Sequence, residues 1–553
     1  MRVANFIAAN LAEKDVKTAF MLSGTGSIYL DDAFAHQSGI NFLCARHEAA
    51  AVAMALAASK LSGGISVVIA TTGPGGANAI SGVIEAWVDS VPIIVISGQA
   101  ESSQINKSAR SFGVQGFNII QNVKAITKYA VEVTDPIRIK LELEQAIYYA
   151  LEGRPGPVWL DIPLDVQATE IDSKRLSNFI IPQKYEQIEE QKLIQVSELI
   201  SNSKSPVAIF GQGIRTAKAV DDFLEFLKQT GLPAISARMA LDIMPYDHPQ
   251  YMGLCGIRGQ RGPISILKSA DLIISLAASM PVTFAGQNFE LLKDADQLIM
   301  VNIDNTETDK FSLDPTICFN ADIKYFLQKF NKINRNIADK KVSWLHKCQK
   351  FKNDNVVLVG PDKNQRINSY YLIDKINNIS DAHHIFVNDA GSGNYIISQG
   401  LRLKPGQREI TSGAFYSMGL ALPMAIGAAY SYPEKQIIAI IGDGSIELNI
   451  QELRTLSLNN LNVKLFIINN GGYASIRKSQ NDMVGGRYTD DQEVLNFECV
   501  SAAFGLRYRI FESYDQLDQG IPDVFKTNSP ELIEVICDPD QEIIEPFKSL
   551  LKP

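Results

Sequence analysis

"IIGDGSIELNIQELRTLSLNNLNVKLFIINNGG", residues 440–472, opens and closes in the same way. An apolar run, Ile440-Ile441 and later Leu465 to Ile468, stops at small polar residues: Gly442-Asp443-Gly444-Ser445 the first time, Asn469-Asn470-Gly471-Gly472 the second. Asp443 and Asn470 are 470 − 443 = 27 residues apart. That length suits one strand-helix-strand crossover, so the two strands should be parallel neighbours. In open parallel sheets, ligands bind beyond the carboxyl ends of the strands. A carboxylate, an amide oxygen and the carbonyl of a glycine turn are the hard oxygens Mg²⁺ takes, with phosphate oxygens and water completing its octahedron. Ser445 stands where the next helix should begin, where a hydroxyl and backbone N–H groups suit a phosphate. Either GDG or NNGG alone is an ordinary turn sequence. Together, at crossover spacing, they read as a metal-diphosphate clamp.

Outward from this stretch the same strand-then-loop unit recurs. "HHIFVNDAGSGN" and "ELIEVICDPD" belong to the same block; "GISVVIATTGPGG" and "VPIIVISGQ" form an earlier one; "SPVAIFGQGI", "ADLIISLAAS" and "DQLIMVNID" lie between. Such alternation of β-rich runs with helical periodicity predicts an α/β protein of three doubly wound parallel-sheet domains, over 1–180, 190–335 and 360–553. The polar segment 183–195 reads as a linker, and the first and third blocks look alike in architecture. "RHEAAAVAMALAASKLSG" predicts a helix ending at Gly63. "SMGLALPMAIGAAYSYP", from Ser417, is nearly uncharged but broken by Pro423 and short for a membrane span, which predicts a buried helix.

A chain of 553 residues suggests about three domains. Its hydrophobic fraction of 46% and charged fraction of 20% fit a globular protein and not a disordered one. A net charge of −9 advertises no nucleic-acid-binding face. The six cysteines are scattered without a CxxC pair, which favours a reducing compartment over disulfides or zinc. The N-terminus has the pattern of a charged amphipathic helix and not of a signal peptide, so a cytoplasmic location is expected.

With the GDG, the gap and the NN in place, the chain resembles the thiamine diphosphate enzymes of the acetolactate synthase family over nearly its whole length. The resemblance implies thiamine diphosphate and Mg²⁺ as cofactors, with Asp443, Asn470 and the Gly472 carbonyl on the metal. It places Gly391, Ser392, Gly393, Asn394, Gly444, Ser445, Tyr473, Ala474 and Ser475 around the diphosphate. Tyr416 and Met418 lie in the segment matching the family's "GxMGxGLP", whose methionine bends the cofactor; a methionine in an apolar run is otherwise core packing. "ARHEAAAVAMALA" supplies Glu48 to the aminopyrimidine of a cofactor held mainly by another subunit. A carboxylate taken out of water can share a proton with that ring and help prepare the thiazolium carbon. Glu48 could instead be a solvated helix position, although the surrounding alanines, Val52 and Met54 argue for burial. Gly24 in "FMLSGTGSIYL", and Thr72, Pro74 and Asn78 in "TTGPGGANAISG", match the loops beside the pyrimidine, and Gln115 matches a substrate-facing glutamine. The resemblance further implies a homodimer or homotetramer with active sites at the subunit interface.

The chain departs from acetolactate synthase at four pocket positions. Ser279 replaces the arginine that receives the acceptor's carboxylate, Ser479 replaces a tryptophan, Leu164 a lysine and Val114 a phenylalanine. Losing both cation and tryptophan suggests an acceptor that is an uncharged aldehyde or ketone, a nucleotide-linked keto sugar among them, with a small 2-keto acid such as pyruvate as donor. Arg477, Arg258 and Arg261 are candidates for such a ligand's phosphates, or surface residues. Alternatives are a true acetolactate synthase using another cation, a pyruvate oxidase-like enzyme, and a non-enzymatic relative. Many relatives bind FAD in the middle block. Here "FGQGIRTAKA" is a lone glycine turn, and Asp304 could meet a ribose or cap the next turn, so FAD stays open.

Overall fold

The computed structural model describes the chain except residues 184–186, 287–288, 310–313, 334–336, 358, 363–364, 487–492 and 545–553. Part of the expected linker, 184–186, thus lies outside the described residues. Among the described residues, three six-stranded sheets form, with every pair of neighbouring strands parallel. The first contains β1 (Thr18–Met21), β2 (Asn41–Cys44), β3 (Ser66–Ala70), β4 (Ile93–Gln99), β5 (Tyr129–Glu132) and β6 (Val158–Pro163), in the order β2-β1-β3-β4-β6-β5. The second contains β7 (Pro206–Phe210), β8 (Ala234–Ser236), β9 (Tyr251–Leu254), β10 (Leu272–Leu276), β11 (Gln297–Asn302) and β12 (Ile317–Asn320), in the order β12-β11-β10-β7-β8-β9. The third contains β13 (His384–Asn388), β14 (Arg408–Thr411), β15 (Gln436–Gly442), β16 (Val463–Asn469), β17 (Arg507–Phe511) and β18 (Glu531–Ile536), in the order β14-β13-β15-β16-β18-β17.

Shifted by twelve, the strand order of the first sheet is that of the third, as the likeness of the two blocks led one to expect. The middle sheet has the 3-2-1-4-5-6 order of dinucleotide-binding folds. Each sheet has a switch point where neighbouring strands feed connections running in opposite directions, between β1 and β3, β7 and β10, and β13 and β15. Ligand crevices open at such switch points, and in the first and third sheets both strands there run into glycine-containing loops.

The helix Glu48–Ser62 begins with His47, whose Nδ1 accepts from Ala49 N, and ends at Gly63 in the left-handed region (φ 67°). It packs on the buried helix Ala421–Ser431, so alanines of the first sheet's helix and alanines of the third sheet's helix share one core. The approach is close: a Cβ on Gly427 would stand 2.3 Å from the Met54 carbonyl oxygen. Polar bonds fasten the same seam. Lys60 Nζ lies 2.6 Å from Asp89 Oδ2 and also donates to the Thr411 carbonyl, and Arg46 N donates to Glu452 Oε1 at 2.8 Å. Among the described residues no helix is long and apolar enough to cross a membrane.

Gly427→Ala sets a helix-propensity gain of about 1 kcal/mol against an overpacking cost of about 1–3 kcal/mol. The clash should win and lower the thermal midpoint. A midpoint equal to or above the parent's would show that the two helices do not pack this closely.

Candidate active site

The apolar runs of β15 and β16 pair in parallel, Gly442 opposite Ile468, which brings Asp443 to the Asn470–Gly472 turn. Asp443 is buried. Its Oδ2 accepts from Asn470 N (3.1 Å) and Gly472 N (2.8 Å), and its Oδ1 from Gly444 N (2.8 Å). Burial pushes this carboxyl above the ordinary range, and those N–H groups pull it partly back. Gly444 has no side chain because the Tyr473 ring lies there: an added Cβ would be 2.7 Å from its Cε1. Asn470 Nδ2 lies 3.5 Å from Ser392 Oγ, linking the turn to the loop after β13.

That loop opens the helix Gly391–Gly400. Gly391 has φ 74°, and an added Cβ on Gly391 or Gly393 would meet nothing within 4 Å. Bare backbone at a helix N-terminus, beside a buried carboxylate and a glycine turn, is a cradle for an anion. Asn394 is turned away from it: its Nδ2 donates to Asp389 O (2.6 Å) and Thr411 Oγ1 (3.1 Å), while its Oδ1 accepts from Arg238 Nε (3.3 Å). Ser445 begins a 3₁₀ turn, Ile446–Asn449, and its hydroxyl donates to Asp389 Oδ2 while accepting from Gly419 N (2.9 Å).

Asp389 had no role in the sequence reading. It follows β13 as Asp443 follows β15, and the two acids straddle the switch point. The Asp389 carboxylate accepts from Gly419 N (3.1 Å) and Leu420 N (3.0 Å), which docks the Tyr416–Met418 segment onto the strand ends. Tyr416 itself sits at φ 60°, a conformation unusual for a tyrosine. Burial raises the Asp389 carboxyl to about 6.

The first sheet's switch point carries the other group of expected residues. Glu48 is 4% exposed, and its Oε2 accepts from Asn78 Nδ2 at 3.0 Å. Pro74 and Asn78 lie on the helix Pro74–Val88. Gly24 packs on Thr71, where a Cβ would be 2.5 Å away, so the early glycine turn lies over "TTGPGG". Gln115 sits at φ 61° on an exposed loop whose backbone crosses Gly73; a Cβ there would be 2.2 Å from the Gln115 carbonyl. The loop is held by Gln99 Nε2, which donates to Phe117 O and to the buried Asp161.

Residues 1–126, 193–330 and 389–535 match, in turn, the N-terminal TPP-binding, central and C-terminal TPP-binding domains of thiamine pyrophosphate enzymes. The chain is a thiamine diphosphate-dependent enzyme. It is distantly related to acetolactate synthase large subunits. It is 28% identical to that of Lactococcus lactis over 98% of this chain and 93% of the relative. Isozyme 1 of Escherichia coli is also 28% identical (98% and 94%), as is the chloroplastic acetolactate synthase of Arabidopsis thaliana (98% and 82%).

Two orphaned buried hydroxyls fit a bound cofactor: among the described residues Thr72 Oγ1 and Ser475 Oγ have no partner, and both were expected to face it. The oxygens at Asp443, Asn470 and Gly472 are of the kind Mg²⁺ takes. A cavity of about 1340 Å³ opens beside the middle sheet and reaches Tyr395 and Tyr416; Ser279 and Arg258 line it, and the Arg258 guanidinium lies 5.0 Å from the Tyr395 ring centre. The two sequence features that suggested FAD there have protein partners. Gly211 and Gly213 let the backbone pass Ala277, and Asp304 caps Thr306 N (2.9 Å) and pairs with Arg154 (3.0 Å). Arg477 is not a surface residue: it is buried against the Asn470–Gly472 turn. Of the changed pocket positions, Val114 is 76% exposed, Ser479 Oγ bonds Ser475 O (3.0 Å), and Leu164 begins the short helix Leu164–Ala168.

Because Asp389 binds its proton more tightly when folded, it favours the folded state most below its ordinary value of 3.8, and that contribution is lost as pH rises to about 6. Cofactor-free thermal midpoints measured across this window should fall with pH less steeply in Asp389→Asn than in the parent. Parallel curves would contradict the assignment.

Proposed function

We propose that the enzyme is an Mg²⁺-dependent carboligase that decarboxylates a small 2-keto acid, pyruvate foremost, and transfers the acyl unit to an uncharged aldehyde or ketone such as a nucleotide-linked keto sugar. The observation that carries the cofactor reading is the register of β15 and β16, which sets Asp443 against the Asn470–Gly472 turn at a switch point. Asp443, Asn470 and the Gly472 carbonyl hold the metal. Gly391, Ser392 and Gly393, with Gly444, Ser445, Tyr473, Ala474 and Ser475, surround the diphosphate, Asn394 bracing the loop from behind. Bound thiamine diphosphate supplies the electron sink for decarboxylation. Glu48, steadied by Asn78, holds a proton at the aminopyrimidine, with Gly24, Thr72 and Pro74 beside it; Gln115 faces the substrate, and Met418 shapes the cofactor.

Completion of the site by a second copy belongs to the same reading. The helix Glu48–Ser62 turns its Lys60 end to Thr411, at the carboxyl end of β14 in its own chain. Glu48 is twelve residues away along it, about 18 Å at the helical rise. A homodimer, or a tetramer of such dimers, would bring one chain's Glu48 to its partner's metal site. The exposed Val114 beside Gln115 fits burial there. Ser279 in place of a cation supports the uncharged acceptor. True acetolactate synthesis is the second reading, favoured by Arg258 in the same cavity. FAD is a tenant of suitable size for that cavity, and visible flavin absorbance of the purified protein decides its presence.

With thiamine diphosphate, Mg²⁺ and pyruvate alone, little acetolactate should form, and CO₂ release should rise when an uncharged carbonyl acceptor is added. Strong acetolactate formation from pyruvate alone would overturn the acceptor assignment. Glu48→Gln should lower turnover by about 10²–10⁴-fold while thiamine diphosphate still binds; unchanged turnover would remove Glu48 from the mechanism.

A further inference from the structure

Arg477 sits on the first turn of the helix Ala474–Val484, whose other described side chains face outward or are only partly covered, and is itself 5% exposed. Its guanidinium donates to the carbonyls of Gly471 and, at 2.8 Å, Asn470. From the opposite side Asp443 takes the amides of Asn470 and Gly472, and Asn469 Oδ1 takes that of Gly471 at 3.3 Å. The third carbonyl, Gly472 O, accepts a local bond from Ala474 N at 2.8 Å and, among the described residues, no other, and a carbonyl oxygen has a second lone pair to offer. Gly471 and Gly472 lie at φ 78° and 95° and bring no side chains, so hydrogen bonds to its backbone shape the turn.

We propose that Arg477 is a positioning residue for the metal. By occupying the carbonyls of Asn470 and Gly471 it leaves the second lone pair of the Gly472 carbonyl and the Asn470 side-chain oxygen to face a cation beside Asp443, and so sets the Mg²⁺-dependent affinity for thiamine diphosphate. This rests on the metal assignment made under Proposed function. A planar fork reaches two carbonyls at once; a lysine in its place is a point donor and reaches one. Loss of such a supporting contact typically weakens a metal site about 10–100-fold.

The test is calorimetric titration of the full chain with thiamine diphosphate at a series of Mg²⁺ concentrations, beside thermal midpoints of the cofactor-free proteins. Arg477→Leu should raise the Mg²⁺ concentration needed for half-saturation by about tenfold or more, with a cofactor-free midpoint near the parent's. Arg477→Lys should fall between the two. Equal Mg²⁺ dependence in parent and Arg477→Leu would overturn the role. If Arg477→Leu does not fold, Arg477→Lys decides: a requirement indistinguishable from the parent's would also overturn it. Failure of the parent itself to bind thiamine diphosphate with Mg²⁺ would defeat the metal assignment instead.

Discussion

One carboxylate holds the C-terminal half of this site together. Asp443, at the end of β15, takes two backbone amides from the turn that ends β16, and the parallel register of those strands brings the two together. A buried carboxylate is costly unless it is paired or hydrogen-bonded. Here backbone N–H groups bear that cost while leaving oxygen lone pairs for a cation. The glycines on both sides follow: Gly444 admits the Tyr473 ring, and Gly471 and Gly472 take the positive φ that folds the turn back.

Asp389 repeats the device one strand away. Its oxygens collect the amides that open the Ala421–Ser431 helix and the Ser445 hydroxyl, so the segment carrying Tyr416 and Met418 is tied to the same crevice as Asp443. Through Lys60 and Asp89 the first domain's helices reach the loop after β14, so cofactor loops of one sheet are braced by the other.

Much of this was legible in the residues. Apolar runs ending in GDG and NNGG reveal two neighbouring parallel strands and the meeting of Asp443 with the Asn470 turn, because one crossover length separates them. The helix from Glu48 to Gly63 carries its own cap and stop. What stayed hidden depends on distant partners. Asp389 stood in a strand-end position in "VNDAG", yet its partners lie 30 and 56 residues downstream. Arg477 reads as one more basic residue on a polar helix, and only the fold turns it under the carbonyls. Asn394 and Asp304 were legible as polar residues near ligand loops, but their side chains belong to the protein's own network.

The most direct test of the central claim is a crystal structure with thiamine diphosphate and Mn²⁺ in place of Mg²⁺, the metal located by its anomalous signal. The account predicts one peak per chain among the Asp443 carboxylate, the Asn470 side-chain oxygen and the Gly472 carbonyl, touching the diphosphate. Bound thiamine diphosphate with the metal elsewhere, or with none at this corner, would contradict it.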